Sequence, residues 1–150
     1  MRFSEFHDAQ TIELGPISVD ARQIVEFAQA YDPQWFHTDP VRAEQGRWNG
    51  LIASGWQTCA LAMKLVVQEL LSDSESFGSP GLSYLKWTAP VRPDDKLRLR
   101  LTVLEKRVSS SGSIGSLRWR WQLFNAAAVQ VLDLEATSLF ALDPAGAQFT

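Results

Sequence analysis

The sequence has very little cysteine and histidine, and it lacks any long apolar run. Cys59 is the single cysteine among 150 residues, so no internal disulfide can form and a cysteine-based metal site is disfavoured. No apolar run approaches the roughly 20 residues that a helix needs to cross a bilayer. The first ten residues, MRFSEFHDAQ, lack the apolar stretch of a signal peptide. We therefore expect a protein of the reducing cytoplasm with no membrane partner.

An excess of charge of one sign is also lacking. The chain has 14 basic and 17 acidic residues and a net charge of −3. Such a balance provides no general attraction to nucleic acids or to anionic membranes. The length, and a hydrophobic content of 45%, suit one globular domain over residues 1–150 with a real core. We predict a single domain that binds no nucleic acid.

Two segments have helical periodicity. The first, ISVDARQIVEFAQAY, predicts a helix with Ser18 as its N-cap, ended by Pro33. The second, SGWQTCALAMKLVVQELL, is apolar around most of its circumference, which favours a helix buried on several sides. Its main apolar stripe consists of Trp56, Cys59, Ala60, Met63, Val66, Val67 and Leu70. Between the two, residues 32–50 have little periodicity beyond one turn at PVRAEQ.

Strand patterns dominate elsewhere. TIELGPI predicts a short first strand, and SDSESFGSPG a loop after the second helix. Four strands are then predicted at LSYLKWTAPVRPDD, KLRLRLTVLEKRV, IGSLRWRWQLFN and AVQVLDLEATSLFAL. Alternation is clean in the middle two, and it slips in the last between Val131 and Leu132, where we predict a β-bulge.

These elements predict an α+β architecture. A long antiparallel sheet with one apolar face needs an apolar partner of matching size. The second helix is the only segment that can fill this role, so we expect the sheet to wrap around it. Because the edge strands of such a layer are exposed, we also expect pairing into a homodimer.

Acid/base chemistry is suggested by the segment YDPQWFHTDP. Asp32 and His37 can face a common point and would form a competent acid/base pair near pH 7. The aromatic residues around them would exclude water. Two alternatives compete: ordinary turns at the two Asp-Pro steps, and a metal site that includes Asp39. The metal site lacks a second histidine and is disfavoured.

A second functional feature is the segment GLIASGWQT, where the apolar helix begins at about Ser54 or Gly55. The N-terminus of a helix presents unpaired N–H groups and a partial positive charge, which suit an oxyanion hole around a thioester carbonyl. The alternative is purely structural: Ser54 caps the helix and Gly55 serves packing.

Residues 27–65, FAQAYDPQWFHTDPVRAEQGRWNGLIASGWQTCALAMKL, resemble the MaoC-like dehydratases, relatives of the (R)-specific enoyl-CoA hydratases. The resemblance implies a hotdog fold, in which an antiparallel sheet wraps a long central helix. It also implies that Asp32 and His37 are the acid/base residues and that the Gly55 N–H polarises the thioester oxygen. Many hydratases of the family have Asn and Pro where this chain has Gln34 and Trp35. No metal and no cofactor are implied.

The resemblance predicts a hydratase or dehydratase that adds or removes water across the trans-2 double bond of an enoyl thioester. The carrier would be CoA or acyl carrier protein. We expect the substrate site to include Trp35, Phe36, Ser54 and Trp56. There are two alternative functions: a hotdog thioesterase, and a non-catalytic acyl-CoA-binding or dimerisation domain. The thioesterase is disfavoured because such enzymes often place a carboxylate on the central helix near the thioester, whereas the first carboxylate of this helix is the distant Glu69.

Several arginines are candidate phosphate ligands. Arg98, Arg100, Arg118 and Arg120 alternate outward on two predicted strands, and a solvated outer face explains them better than a basic stripe, since the overall charge is negative. Arg42, Arg47 and Arg92 are further candidates for a CoA phosphate, and the sequence does not choose among them.

Overall fold

The computed structural model describes residues 1–142, which form an antiparallel sheet and a set of helices. The strands are β1 (Thr11–Ser18), β2 (Ser76–Lys86), β3 (Lys96–Val108), β4 (Ile114–Phe124) and β5 (Gln130–Ala141). The helices are α1 (Ala21–Tyr31), α2 (Trp35–Thr38), α3 (Pro40–Glu44) and α4 (Gly55–Val66), and a π-helical turn, Val67–Leu71, extends α4. A single 3-10 turn, Phe3–Glu5, precedes β1. Within the described part of the chain, no helix is long and apolar enough to span a bilayer.

The sheet has the strand order β1-β3-β4-β5-β2, and each neighbouring pair is antiparallel. The predicted alternation in β3 and β4 is confirmed: the inward side chains are almost wholly buried, namely Leu97, Leu99, Leu101, Val103, Leu117, Trp119, Trp121 and Leu123. Together with Ala62, Leu65 and Val66 of α4 they form one hydrophobic core. The sheet and the central helix therefore cover each other, as predicted.

The predicted bulge in β5 is confirmed. Leu123 pairs with Leu132 and Phe124 pairs with Gln130, so Val131 is an extra residue opposite β4. The four residues Val131 to Leu134 are all buried, and alternation resumes from Leu134 onward. The bulge thus brings the second half of β5 into phase with the core.

The main apolar stripe of α4 does not coincide with the buried face of the helix. Of the predicted stripe, Val66 and Leu70 are buried, but Trp56, Met63 and Val67 are exposed in the single chain. The face turned to the sheet instead carries Thr58, Ala62, Leu65 and Val66. The physical reason is that a helix with apolar residues nearly all round has no distinct apolar face, so periodicity alone cannot choose between its sides.

Three boundaries also differ from prediction. Helix α1 is capped by Asp20, whose carboxylate accepts a hydrogen bond from the Gln23 N–H in a capping box, while Ser18 ends β1. Strand β2 begins at Ser76, inside the predicted loop, and residues 87–95 lie outside it. Residues 35–38 and 40–44 form two short helices where one turn was expected.

The outward arginines of the sheet lie among carboxylates on neighbouring strands. Among the described residues, four ion pairs involve these arginines: Arg100 with Glu13 (2.7 Å), Arg118 with Glu135 (2.7 Å) and with Glu105 (3.6 Å), and Arg120 with Asp133 (2.9 Å). This is the neutralised, partly solvated outer face that the negative net charge favoured.

Candidate active site

The predicted acid/base residues meet where the end of α1, helix α2 and the start of α4 come together. Helix α1 stops at Tyr31 because Asp32 precedes a proline, and Asp32, the C-cap, has backbone angles outside the helical region. The short helix α2 carries His37 on its inner side, where it is buried. This local folding brings the two side chains together, as the sequence predicted.

The Asp32 carboxylate and the His37 imidazole are in contact. The distance from His37 Nε2 to Asp32 Oδ2 is 3.3 Å. On the other side of the ring, Nδ1 lies 2.7 Å from the main-chain oxygen of Ile52. Because a carbonyl oxygen only accepts hydrogen bonds, Nδ1 must carry a proton. In neutral His37 the lone pair is therefore on Nε2, the nitrogen that faces Asp32.

Two further donors hold the Asp32 carboxylate. The Ser54 hydroxyl donates to Oδ2 at 2.7 Å, and the Gln34 amide donates to Oδ1 at 2.8 Å. Partial burial alone would raise the pKa of Asp32, but the hydrogen bonds from Gln34 and Ser54, together with the positive charge that His37 carries when it is protonated, outweigh it, and the pKa is lowered. Asp32 is consequently a carboxylate at neutral pH.

Ser54 and Gly55 occupy the start of α4. Ser54 takes the N-cap position, but its hydroxyl makes no capping bond to the helix and is fully buried against Asp32. Helix α4 begins at Gly55, as predicted, which leaves the N–H of Gly55 without an acceptor inside the helix. The start of the helix thus faces the acid/base pair.

Gly55 has a packing role as well. A Cβ added at Gly55 would lie 2.4 Å from Cε2 of Trp87, so no larger residue fits beside that indole. The Trp87 indole N–H also donates to the Gly55 carbonyl oxygen at 2.8 Å. The close approach of Trp87 is therefore a sufficient reason for glycine at position 55, in addition to any approach of a ligand to its backbone.

The site opens into a cavity of about 520 Å³, within the size range of ligand pockets. Its walls include Asp32, His37, Gly55 and Trp56, together with Gln34, Trp48, Ile52, Ala53, Thr58 and residues 87–91. The predicted contacts Trp35 and Phe36 do not line it: Trp35 packs against Gly46 and Arg42, and the Phe36 ring packs against the His37 ring. Their binding of substrate stays a prediction, as does that of Ser54.

Sequence reasoning missed two contributors to the site. Gln34 was noted only as a departure from the family pattern, although its amide group can reach a carboxylate two residues earlier. The segment that follows β2, with Trp87, was assigned to a strand, and nothing in its pattern indicates that it covers the start of α4. Among residues 1–142, no cluster of three His, Cys, Asp or Glu side chains is arranged to hold a metal ion.

An antiparallel sheet around a central helix, with a carboxylate and an imidazole beside the N-terminus of that helix, is the arrangement that the resemblance to the MaoC-like dehydratases implies. Comparison with known proteins agrees. Residues 5–116 match the family model of the MaoC-like domain, and the chain belongs to this family. The expected hotdog fold is thereby confirmed.

Individual relatives cover nearly the whole chain. The uncharacterized protein YdeM of Bacillus subtilis is 32% identical over 139 residues, which is 93% of this chain and 98% of that protein. The crystal structure of a MaoC-like dehydratase from Rhodospirillum rubrum has a TM-score of 0.85 at 29% identity, covering 94% of this chain and 97% of the other. The R-hydratase PhaJ1 from Pseudomonas aeruginosa has a TM-score of 0.77 at 27% identity, covering 94% and 86%.

Proposed function

We propose that this protein is a hydratase or dehydratase that adds water to, or removes it from, the trans-2 double bond of an enoyl thioester. The observation that carries the proposal is the convergence of two acceptors, Asp32 Oδ2 and His37 Nε2, on the cavity wall. The proton on Nδ1 makes Nε2 an acceptor in neutral His37, and the lowered pKa of Asp32 keeps its oxygens as acceptors. A water molecule, with its two O–H donors, is the ligand that suits such a pair.

The proton balance of the reaction needs no other group. In the hydration direction the pair takes a proton from water while the water oxygen forms a bond to the β-carbon of the enoyl group. The pair then returns a proton to the α-carbon, so that neither Asp32 nor His37 changes its net protonation over the cycle. Dehydration follows the same steps in reverse.

The N-terminus of α4 would stabilise the negative charge that develops on the thioester oxygen. The Gly55 N–H has no acceptor within the helix, and the helix dipole places a partial positive charge at the same point. Because Gly55 and the acid/base pair line one cavity, a thioester carbonyl bound at Gly55 would place its conjugated double bond beside Asp32 and His37.

The rival functions fit the site less well. Among the described residues, Asp32 is the only carboxylate that lines the cavity, and Glu69 of the central helix instead accepts a hydrogen bond from the Gly15 N–H. A thioesterase with its carboxylate on the central helix is therefore disfavoured. A domain that only binds acyl-CoA would not need an imidazole held in one tautomer against a carboxylate.

We also propose that the thioester carrier is CoA and that the protein is a homodimer. We place the protein in the cytoplasm, acting on acyl-CoA thioesters of fatty acid metabolism. The free edge of β2, the last strand of the five-stranded sheet, supports the homodimer, because an exposed edge leaves backbone N–H and C=O groups available to a second copy.

The test is hydration of crotonyl-CoA, which is measured as the loss of absorbance of the conjugated thioester. We expect Asp32→Asn and His37→Gln each to lower kcat/KM at least ~100-fold, the usual contribution of a positioned acid or base. The matched controls are Asp39→Asn, which keeps a helix-capping side chain in the same segment, and His7→Gln, which alters the exposed second histidine. Both controls should retain wild-type activity.

The same assay separates the rivals. Release of free thiol without hydration would identify a thioesterase, and saturable binding without turnover would identify a binding domain. Wild-type turnover in Asp32→Asn or in His37→Gln, with the variant folded by circular dichroism, would refute the assignment of the pair.

A further inference from the structure

A second, apolar groove lies beside the catalytic cavity, between α4 and β2. It has a volume of about 720 Å³. Its lining is mainly aliphatic and aromatic and includes Cys59, Ala60, Met63, Phe77, Leu82 and Leu85. The groove is large enough to hold the tail of a medium-length acyl chain, but none of the polar groups of the catalytic cavity line it.

Among residues 1–142, Trp56 alone lines both the catalytic cavity and this groove. Its ring packs edge to face against Trp87, with the ring centres 5.1 Å apart and an angle of 81° between the planes. Trp87 is itself fixed by its hydrogen bond to the Gly55 carbonyl oxygen and by its close approach to Gly55, where an added Cβ would lie 2.4 Å from the ring. The two indoles therefore stand as a pair between the two spaces.

We propose that Trp56, held in place by Trp87, closes the catalytic cavity toward the groove and restricts the enzyme to short acyl chains. The inference rests on the proposed function and names a determinant of its substrate class. Trp56 follows directly on Gly55, whose N–H would bind the thioester oxygen, so an acyl tail leaving that point toward the groove meets the Trp56 indole. The apolar groove lies beside the catalytic cavity, and the indoles of Trp56 and Trp87 block the path of the acyl tail into it.

The test compares crotonyl-CoA with trans-2-octenoyl-CoA, which carries four more methylene groups. Each methylene that enters an apolar groove improves binding about fourfold. We expect wild-type protein to prefer crotonyl-CoA. Trp56→Ala should raise the octenoyl-to-crotonyl ratio of kcat/KM at least ~10-fold, a conservative part of what four buried methylenes supply.

Two variants serve as controls. Trp48→Ala removes an indole that lines the catalytic cavity but not the groove, so the ratio should keep its wild-type value. Met63→Trp, introduced into the Trp56→Ala protein, fills the groove and should restore the preference for the short chain. The side chain of Trp56 is 59% exposed, so its truncation should leave the fold intact, which thermal unfolding will check.

A binding measurement keeps the inference testable without turnover. Isothermal titration with butyryl-CoA and octanoyl-CoA should show the same reversal of preference in Trp56→Ala, even if the chain proves to be a binding domain. Equal use of both chain lengths by the wild type, or an unchanged ratio in folded Trp56→Ala by both measurements, would overturn the inference. The second outcome would mean that something else, such as a second copy of the chain, fills the groove.

Discussion

Removal of the Ser54 hydroxyl tests how the site holds the charge of Asp32. The hydroxyl is fully buried and donates to Oδ2 at 2.7 Å, a short distance typical of a hydrogen bond to a charged acceptor. Such bonds contribute about 1.5–3 kcal/mol. Ser54→Ala breaks this bond, and it removes no helix cap, because the Ser54 side chain makes none.

The expected loss depends on pH, and its sign follows from the lowered pKa of Asp32. A group whose folded-state pKa is depressed contributes stability at pH values above its unfolded pKa, about 3.9 for Asp, and loses it as the pH falls through the folded-state value. At pH 7 we expect Ser54→Ala to lose about 1.5–3 kcal/mol in the free energy of unfolding. For a protein of this size the loss corresponds to a fall in Tm of about 3–12 °C.

Urea unfolding at pH 7, and at a series of pH values down to about 3, measures this dependence. The gap between the wild type and Ser54→Ala should narrow at the acid end, where a protonated Asp32 no longer offers a charged acceptor. Ser138→Ala is the matched control, because the Ser138 hydroxyl is also buried but bonds to the neutral indole N–H of Trp119 at 3.2 Å. The loss of unfolding free energy caused by Ser138→Ala should not vary with pH. A penalty for Ser54→Ala that is the same at every pH would refute a role in holding the Asp32 charge.

Two further predictions concern the neighbours of the pair. Gln34→Leu should raise the pKa of Asp32 by removing the donor to Oδ1, which NMR titration of the Asp32 carboxyl measures; an unmoved carboxyl pKa would contradict this. The control, Gln45→Leu, alters an exposed glutamine outside the site. Gly55→Ala should lose about 1–3 kcal/mol by overpacking against Trp87, measured by urea unfolding, whereas Gly78→Ala, with no atom within 4 Å of the new Cβ, should not. Equal stability of the two alanine variants would show that the indole moves aside.

The sequence predicted the parts of the fold that depend on local patterns. Strand β3 occupies the predicted segment, because alternating Leu97 to Val103 leaves one choice of buried face. The bulge at Val131 was visible as a slip in phase. The pair Asp32 and His37 was predicted from residue types and spacing, and its contact required only that the chain turn after Tyr31.

The features that were missed depend on contacts between distant segments. Only the folded sheet determines that residues 76–81 pair with β5, since this segment rich in serine, glycine and proline has no strand pattern. The position of Trp87 over Gly55 joins residues 32 apart in the chain, and no local signal predicts it. The burial of Ala62 rather than Met63 is likewise decided by which side of α4 meets the sheet.

The bond between His37 Nδ1 and the Ile52 oxygen has a consequence for how the chain can vary. The acceptor is a peptide carbonyl, which every one of the twenty amino acids would supply at position 52. Substitutions there change the bulk of the wall and leave the choice of imidazole tautomer untouched. Substitutions at position 52 therefore leave the proton of His37 on Nδ1, while the shape of the pocket can change.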